Sequence, residues 1–426
     1  MERILSSSSA VQFKEPANQT YSKRWDLLPA SRDPREPEFR KMISELARTK
    51  AKDPFISLTV GDPTIFGLIN DAVGPAINRA VEKKLFMYPE ISGVQEDFRI
   101  AVATFEKKFQ GATYDPSNII ITAGVAGSFN VLHYALLDQG DEVLSFSPLH
   151  YVGTSSYVRT LGTKVVPVPA HESNNWIPTA EDLRKAITAK SKLLVVNSPT
   201  NPQGAVYPDH TLKEIADIAA EFGIPIISDE IYSLITYDNV EAHSIGRFVK
   251  DNLLFTVSGV SKIFCAPGLR IGYIAIGGSN DQKFGKVVEV VKRVGSMYGH
   301  ASSGIPTPIM AAAAELYKSD LSSFRRILNL LKERRDLVLK RLREMSSISL
   351  VQPLGALYFF PKIEASNWID EYSFLHDLAK AENLAFTPGS TFGVGAEGHF
   401  RGVFMAEPVV LSEAMDRLDR FLKKTQ

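Results

Sequence analysis

One cysteine, Cys265, stands in 426 residues, so no intrachain disulfide can form and a reducing compartment is expected. Neither sign of charge is in excess: 48 Lys plus Arg balance 48 Asp plus Glu, which provides no global field toward nucleic acid or an anionic membrane. No apolar run approaches the roughly 20 residues that span a bilayer. The opening MERILSSSSAVQF holds too short an apolar stretch for a secretory signal and too few arginines for an organellar leader, so the sequon Asn18-Gln19-Thr20 is expected to stay unmodified. The eight histidines show no metal-ligand spacing, and His171-Glu172 lacks the second histidine of a zinc protease. P-loop and G-x-S-x-G patterns are missing. The stretch from Gly393 to Gly398 satisfies G-x-G-x-x-G, but it leads into a strand-like segment and follows no βαβ start, which rejects dinucleotide binding. These absences point to a cytoplasmic chain without metal, nucleic-acid or membrane partners.

What is present is apolar residue in quantity, 44% of the chain, enough for two domains or one large domain with a satellite. Residues 1–36 are polar and proline-punctuated and read as an arm. Residues 37–70 read as a segment contributing to a small domain, 71–308 as the large domain and 309–426 as a smaller α+β domain. In the large domain, strand-like runs at 119–122, 141–146, 164–168, 193–197 and 224–229 alternate with helical runs such as 71–84, 179–189 and 212–222. Three of these runs end in polar residues, around Ser147, around Asn201, and at Asp229, Glu230 and Tyr232. That pattern predicts a three-layer α-β-α domain with a mostly parallel sheet whose strand ends line one site. Beyond 300, residues 309–345 carry a helical stripe through Ile327, Leu331, Val338, Leu342 and Met345, too short for a coiled coil and fit for packing on a core.

The chemistry concentrates at 253–278, LLFTVSGVSKIFCAPGLRIGYIAIGG. Two β-rich runs, 253–257 and 271–276, flank a turn holding Lys262 and, eight residues on, Arg270. A lysine between buried strands is partly desolvated, which frees its amine for Schiff-base chemistry. The Pro267–Gly268 turn lets Arg270 face the same cavity and clamp a phosphate. An aldehyde-binding lysine beside a phosphate-binding arginine describes a pyridoxal-phosphate site; solvated residues at a strand edge are the plain alternative. Cys265 reads as a small buried apolar side chain rather than a nucleophile. Gly61-Asp62-Pro63 is a turn that also permits close approach of a ligand. Ala123-Gly124-Val125-Ala126-Gly127 joins a strand to a helix, as a plain turn or as an anion-binding run of amides.

With VGDPTIFG, NSPTNPQG, SDEIY, the Ser261-Lys262 pair, PGLRIGY and HFRGVF in this order, residues 37–423 resemble the fold-type I pyridoxal-phosphate aminotransferases, and most of all tyrosine aminotransferase. The resemblance implies that Lys262 carries the cofactor and shuttles the proton. It implies that Asp229 pairs with the ring nitrogen and that Asn201 and Tyr232 bond the phenolic oxygen. Arg270 would bind the phosphate with the backbone at Gly124 and Val125 and with Tyr88 of a second subunit, in a homodimer sharing its active sites. Arg401 would grip the substrate carboxylate, and Gly61 would leave room for the amino acid. Two positions depart from the family: His150 stands where an aromatic ring covers the cofactor, with Tyr151 beside it, and the phosphate turn lacks hydroxyl side chains.

The expected reaction moves the amine of an aromatic L-amino acid to a 2-oxo acid such as 2-oxoglutarate by a ping-pong cycle. Alanine or broad specificity stays open, as does a C–S β-lyase on the same fold. A non-catalytic regulator would need an appended DNA-binding module, which the short arm does not supply.

Overall fold

The computed structural model describes residues 35–48, 54–148, 161–279, 282–301, 304–364 and 367–425. Its core is a seven-stranded sheet built from β2 (Ile119–Thr122), β3 (Glu142–Ser147), β4 (Lys164–Pro169), β5 (Ser191–Asn197), β6 (Ile226–Asp229), β7 (Leu253–Gly259) and β8 (Gly272–Gly278) in the order β2-β8-β7-β6-β5-β3-β4. The five strands from β7 to β4 pair in parallel, and β8 runs antiparallel to both its neighbours. β-Branched runs such as IIIT in β2 and LLVV in β5 suit this doubly covered sheet.

Apolar side chains pack on both faces. One core joins Phe129 and Leu132 of the helix Gly124–Leu136 to Val291 of the helix Gly285–Ala301 and to Ile227, Val257 and Ile274 of the sheet. The other runs from Ile226 and Tyr273 through Phe105 and Tyr317 into the C-terminal part of the chain. The expected helices at 71–84, 179–189 and 212–222 form as Val73–Glu82, Ala180–Ala186 and Asp209–Glu221. Thr179 caps the second of them by accepting from the Asp182 amide at 3.1 Å. The long helical stretch divides into Thr307–Lys318 and Ser322–Arg343, broken at Leu321, whose φ is 60°. Ile327, Leu331, Val338 and Leu342 are buried along the second piece, as their spacing predicts. The helix Thr307–Lys318 packs against Val73–Glu82 and Val94–Phe105.

Short strands complete the C-terminal part. β1 (Ile56–Ser57) pairs in parallel with β12 (Leu384–Ala385), so the segment before residue 70 is stitched to the tail. Arg417 holds that seam by donating to the carbonyls of Pro54 and Glu382. β9 (Ile348–Ser349) pairs with β11 (Lys362–Ile363), and β14 (Phe400–Val403) lies between β10 (Tyr358–Phe359) and β13 (Thr387–Pro388). The helix Glu371–Glu382 opens on a capping box between Asp370 and Ser373, and Pro408–Thr425 closes the chain.

Strand direction gathers the chemistry. Because β2 to β7 all point one way, Thr122, Ser147, Asn197, Asp229 and Gly259 end at the same edge of the sheet. β8 begins there, immediately after Arg270. Among the described residues no helix is long and apolar enough to cross a membrane, and no group of three or more His, Cys, Asp or Glu is arranged to hold a metal ion.

Candidate active site

Lys262 sits on the single helical turn Val260–Ile263 that follows β7. Its Nζ donates to the Gly61 carbonyl at 2.5 Å, joining two segments 201 residues apart. Gly61 has no room for a side chain, since a Cβ there would meet the Tyr358 hydroxyl at 2.5 Å. That hydroxyl shares a 2.8 Å hydrogen bond with Tyr232. The Asn201 amide reaches Tyr232 at 3.4 Å, and its carbonyl accepts from Arg401 Nη1 at 3.1 Å. Arg401 also donates through Nη2 to the Thr59 carbonyl. One hydrogen-bonded chain therefore links Tyr358, Tyr232, Asn201 and Arg401, and the Lys262–Gly61 pair lies against it at the Tyr358 hydroxyl.

Arg401 is 3% exposed, on β14. Its guanidinium lies 4.6 Å from the Tyr358 ring and 4.9 Å from Phe392, and its Nε has no partner among the described residues. Among the described residues no carboxylate partners it, and burial works against its charge. A buried cation with an unused donor is the site an incoming carboxylate would complete.

Asp229 ends β6, fully buried. Its Oδ1 accepts from the Ile231 amide at 3.2 Å, and its carbonyl from Asn197 Nδ2 at 3.0 Å; Asn197 Oδ1 in turn fixes the Asn201 amide at 3.0 Å. Burial pushes the Asp229 carboxyl up to about 7; the Ile231 amide and Lys262 oppose this, while Glu230 adds to it. A buried carboxyl so poorly compensated fits a cationic ring nitrogen, which would hold it ionised.

Arg270 takes a left-handed φ of 54° and donates through Nη1 to the Pro267 carbonyl at 2.7 Å. Its Nη2 would lie 2.9 Å from a Cβ at Gly124, itself at φ 70°. Gly124 and Val125 open their helix with no side chain capping its first amides. Free amides, a helix N-terminus and a guanidinium converge here, the donor set a phosphate takes.

Tyr88 stands outside this network, 76% exposed at the start of the short helix Pro89–Ser92. It borders a cleft of about 900 Å³ whose far wall includes Thr122 and Ala123, next to Gly124. His150 and Tyr151 lie outside the described residues. Cys265 is buried, and burial pushes its thiol up to about 12, which suits the apolar reading. Gly393–Gly398 forms a loop after a 3₁₀ turn, with Ser147 Oγ donating to the Val394 carbonyl at 2.7 Å. Tyr358, Phe392, Thr59 and Asn197 complete the site, and sequence reasoning passed over the first three. Tyr358 lay inside a segment read only as strand, whereas Asn197 was noted at its strand end but Asn201 alone was given a role.

The sequence pattern described as aminotransferase class I and II matches residues 53–418. The aspartate aminotransferase of Pyrococcus horikoshii is 30% identical over 388 residues, 90% of this chain and 95% of that one. The aromatic-amino-acid aminotransferase 2 of Thermococcus litoralis is 33% identical over 395 residues, covering 91% and 96%. Among solved structures, alanine aminotransferase from Pyrococcus furiosus superposes with a TM-score of 0.87 at 34% identity, over 95% of this chain and all of that one. This chain belongs to the class I and II aminotransferases, pyridoxal-phosphate-dependent enzymes that transfer nitrogenous groups.

Proposed function

We propose that this aminotransferase takes an aromatic L-amino acid as donor and a 2-oxo acid such as 2-oxoglutarate as acceptor, working as a homodimer. The observation that carries the reading is the ring-walled carboxylate site: Arg401 held between Tyr358 and Phe392, with Tyr232 adjoining. Aromatic walls favour an apolar or aromatic side chain over a charged one. Similarity to an aromatic-amino-acid aminotransferase supports the same donor.

Bound pyridoxal phosphate supplies the electron sink for the substrate's Cα carbanion. In this reading Lys262 Nζ would hold the cofactor covalently and would carry the proton at the substrate's Cα. Asp229 keeps the ring nitrogen charged. Asn201 and Tyr232 bond the ring oxygen, and Arg270 with the amides of Gly124 and Val125 takes the phosphate. Arg401 orients the substrate through two parallel N–H···O bonds. The Gly61 carbonyl gives Lys262 a resting partner 2.5 Å away. Tyr88, exposed on this chain, would complete the phosphate site of a second copy.

A second reading, an alanine-type donor, is favoured by the likeness to the Pyrococcus furiosus enzyme. Single-turnover absorbance with tyrosine, phenylalanine, alanine and aspartate separates the two. Tyrosine and phenylalanine should react at least ten times more efficiently than alanine and aspartate; alanine leading would overturn the aromatic reading. Pyruvate and ammonia released without an acceptor would mark a β-lyase.

A further inference from the structure

Side chains alternate along β6, β7 and β8, so the sheet has two chemically distinct faces at its centre. Asp229, Val257 and Ile274 are cross-strand partners, and Val257 and Ile274 pack toward the helix Gly124–Leu136. Ser228, Thr256, Ser258 and Tyr273 occupy the reverse face. There lie two carboxyl groups that the transamination chemistry leaves unused, Glu230 and Glu106, 3% and 1% exposed.

Glu230 Oε1 accepts from Ser228 Oγ at 2.8 Å and Ser244 Oγ at 2.7 Å, and its backbone carbonyl accepts from Ser258 Oγ at 3.4 Å. Glu106 Oε1 accepts from the Tyr273 hydroxyl. Among the described residues neither Oε2 has a hydrogen-bond partner, nor does the Gln110 carboxamide. Glu106 and Gln110 are presented by a π-helical turn, Glu106–Gln110, that ends the helix Val94–Phe105. The ionisable groups that face the carboxyls are each other and the buried hydroxyls of Tyr114, Tyr273 and Tyr317, while Lys262 acts on neighbouring Asp229 from the opposite side. Two full negative charges in such a dry space repel strongly, so the pair retains a proton at neutral pH. Burial and mutual repulsion push Glu106 up to about 8, and burial pushes Glu230 up to about 7.

We propose that Glu230 and Glu106 form a proton-sharing carboxyl pair behind the sheet, whose single negative charge acts through Glu230 on Asp229 and tunes the proton affinity of the cofactor bound in front. Glu230 is thus a positioning residue that acts through Asp229 without touching cofactor or substrate. The inference rests on the assignment of Asp229 to the ring nitrogen, but it does not depend on which amino acid is the donor.

The test is a pH titration of the visible absorption band of the substrate-free holoenzyme. Glu230→Gln removes the nearer charge and should lower the band's midpoint by about half a unit, the size of one screened charge acting over a long protein path. Glu106→Gln relieves the repulsion, leaves the charge on Glu230, and should not lower the midpoint. A midpoint unmoved in Glu230→Gln, or lowered equally in both variants, overturns the proposal. Asp229→Asn should move the midpoint further than either; if it does not, the assignment of Asp229 falls and the inference falls with it. Should Glu230→Gln fail to load cofactor, thermal unfolding of Glu106→Gln decides. Wild-type stability drops as pH rises through 7 and 8, and the variant should lose the share that Glu106 contributes while the share of Asp229 remains; an unchanged slope refutes the shared proton.

Discussion

Replacing Arg401 separates two effects of opposite sign. Its guanidinium is buried, makes hydrogen bonds to Asn201 Oδ1 and the Thr59 carbonyl, and keeps Nε unpartnered. A substrate carboxylate would complete this donor set. A charge-assisted hydrogen bond contributes about 1.5–3 kcal/mol. Arg401→Lys keeps the charge but loses the planar fork, so it forfeits one such bond and part of the orientation, about 2–4 kcal/mol, or roughly 30- to 700-fold in kcat/KM. Arg401→Met forfeits both bonds and should fall further. Without cofactor and substrate, however, the buried cation is a burden, and an apolar replacement of similar length should stabilise the free protein by about 1–3 kcal/mol. At an unfolding entropy of about 2.1 cal/mol/K per residue, a chain of this length gains about 1 °C per kcal/mol, so the thermal midpoint should rise by about 1–3 °C. The assays are single-turnover absorbance for the reaction and calorimetry for stability. The decarboxylated amine of the same donor is the control, since it cannot use Arg401 and should react equally with wild type and variants. If Arg401→Lys stays within threefold of wild type and the amine is affected equally, Arg401 is not the carboxylate clamp.

Gly61→Ala should lower activity, because its Cβ would press on the Tyr358 hydroxyl at 2.5 Å, and Tyr358→Phe in the same chain should restore part of it; no recovery in the steady-state rate would contradict this packing. Asp229 carries its proton up to about 7 against an ordinary 3.8, so the cofactor-free fold gains stability below pH 4 and loses it as pH rises through 7. Asp229→Asn should remove about 3 kcal/mol of the difference between urea unfolding at pH 5 and pH 8, the part of the window from 3.8 to about 7 that lies above pH 5. His133 has both ring nitrogens buried without partners among the described residues, and burial lowers it from 6.5 to about 4. The unfolded chain therefore takes up a proton first, and about 3 kcal/mol of stability present above pH 6.5 is lost as pH falls to 4. His133→Leu should flatten that acid limb in a thermal melt recorded from pH 4 to 7; an unchanged limb would show that His133 is protonated in the fold.

The strands were legible where composition and period agreed. Residues 119–122 and 164–168 read as strands from β-branching alone, and the buried stripe through Ile327, Leu331, Val338 and Leu342 read as a helix. The helix Gly285–Ala301 was not legible. Its sequence, GKVVEVVKRVGSMYGHA, mixes five valines with glycines, residues of weak helix propensity. Yet Val287, Val291 and Val294 recur at helical spacing and pack on the sheet, so tertiary burial decides against local preference. The π-turn at Glu106–Gln110 left no signal either, because EKKFQ reads as the continuation of a helix.

The site was legible in proportion to how far each residue's role is local. Lys262, Asp229 and Arg270 sit at strand ends or in the turn between strands, positions that a parallel sheet brings to one edge, and strand order alone accounts for their lying there. Tyr358 and Phe392 could not be found that way. Their importance lies in pairings across the fold, Tyr358 with Tyr232 over 126 residues and both rings with Arg401, and nothing in GALYFF or GSTF marks them. The same holds for Gly61: its turn is readable from Gly-Asp-Pro, but the need for glycine comes from a hydroxyl nearly 300 residues away. Residues that would react are marked by chemical type, whereas residues that shape the space around them are marked only by what they touch. Tyr358 and Phe392 are of the second kind, so the rings beside Arg401 had to be read from the structure.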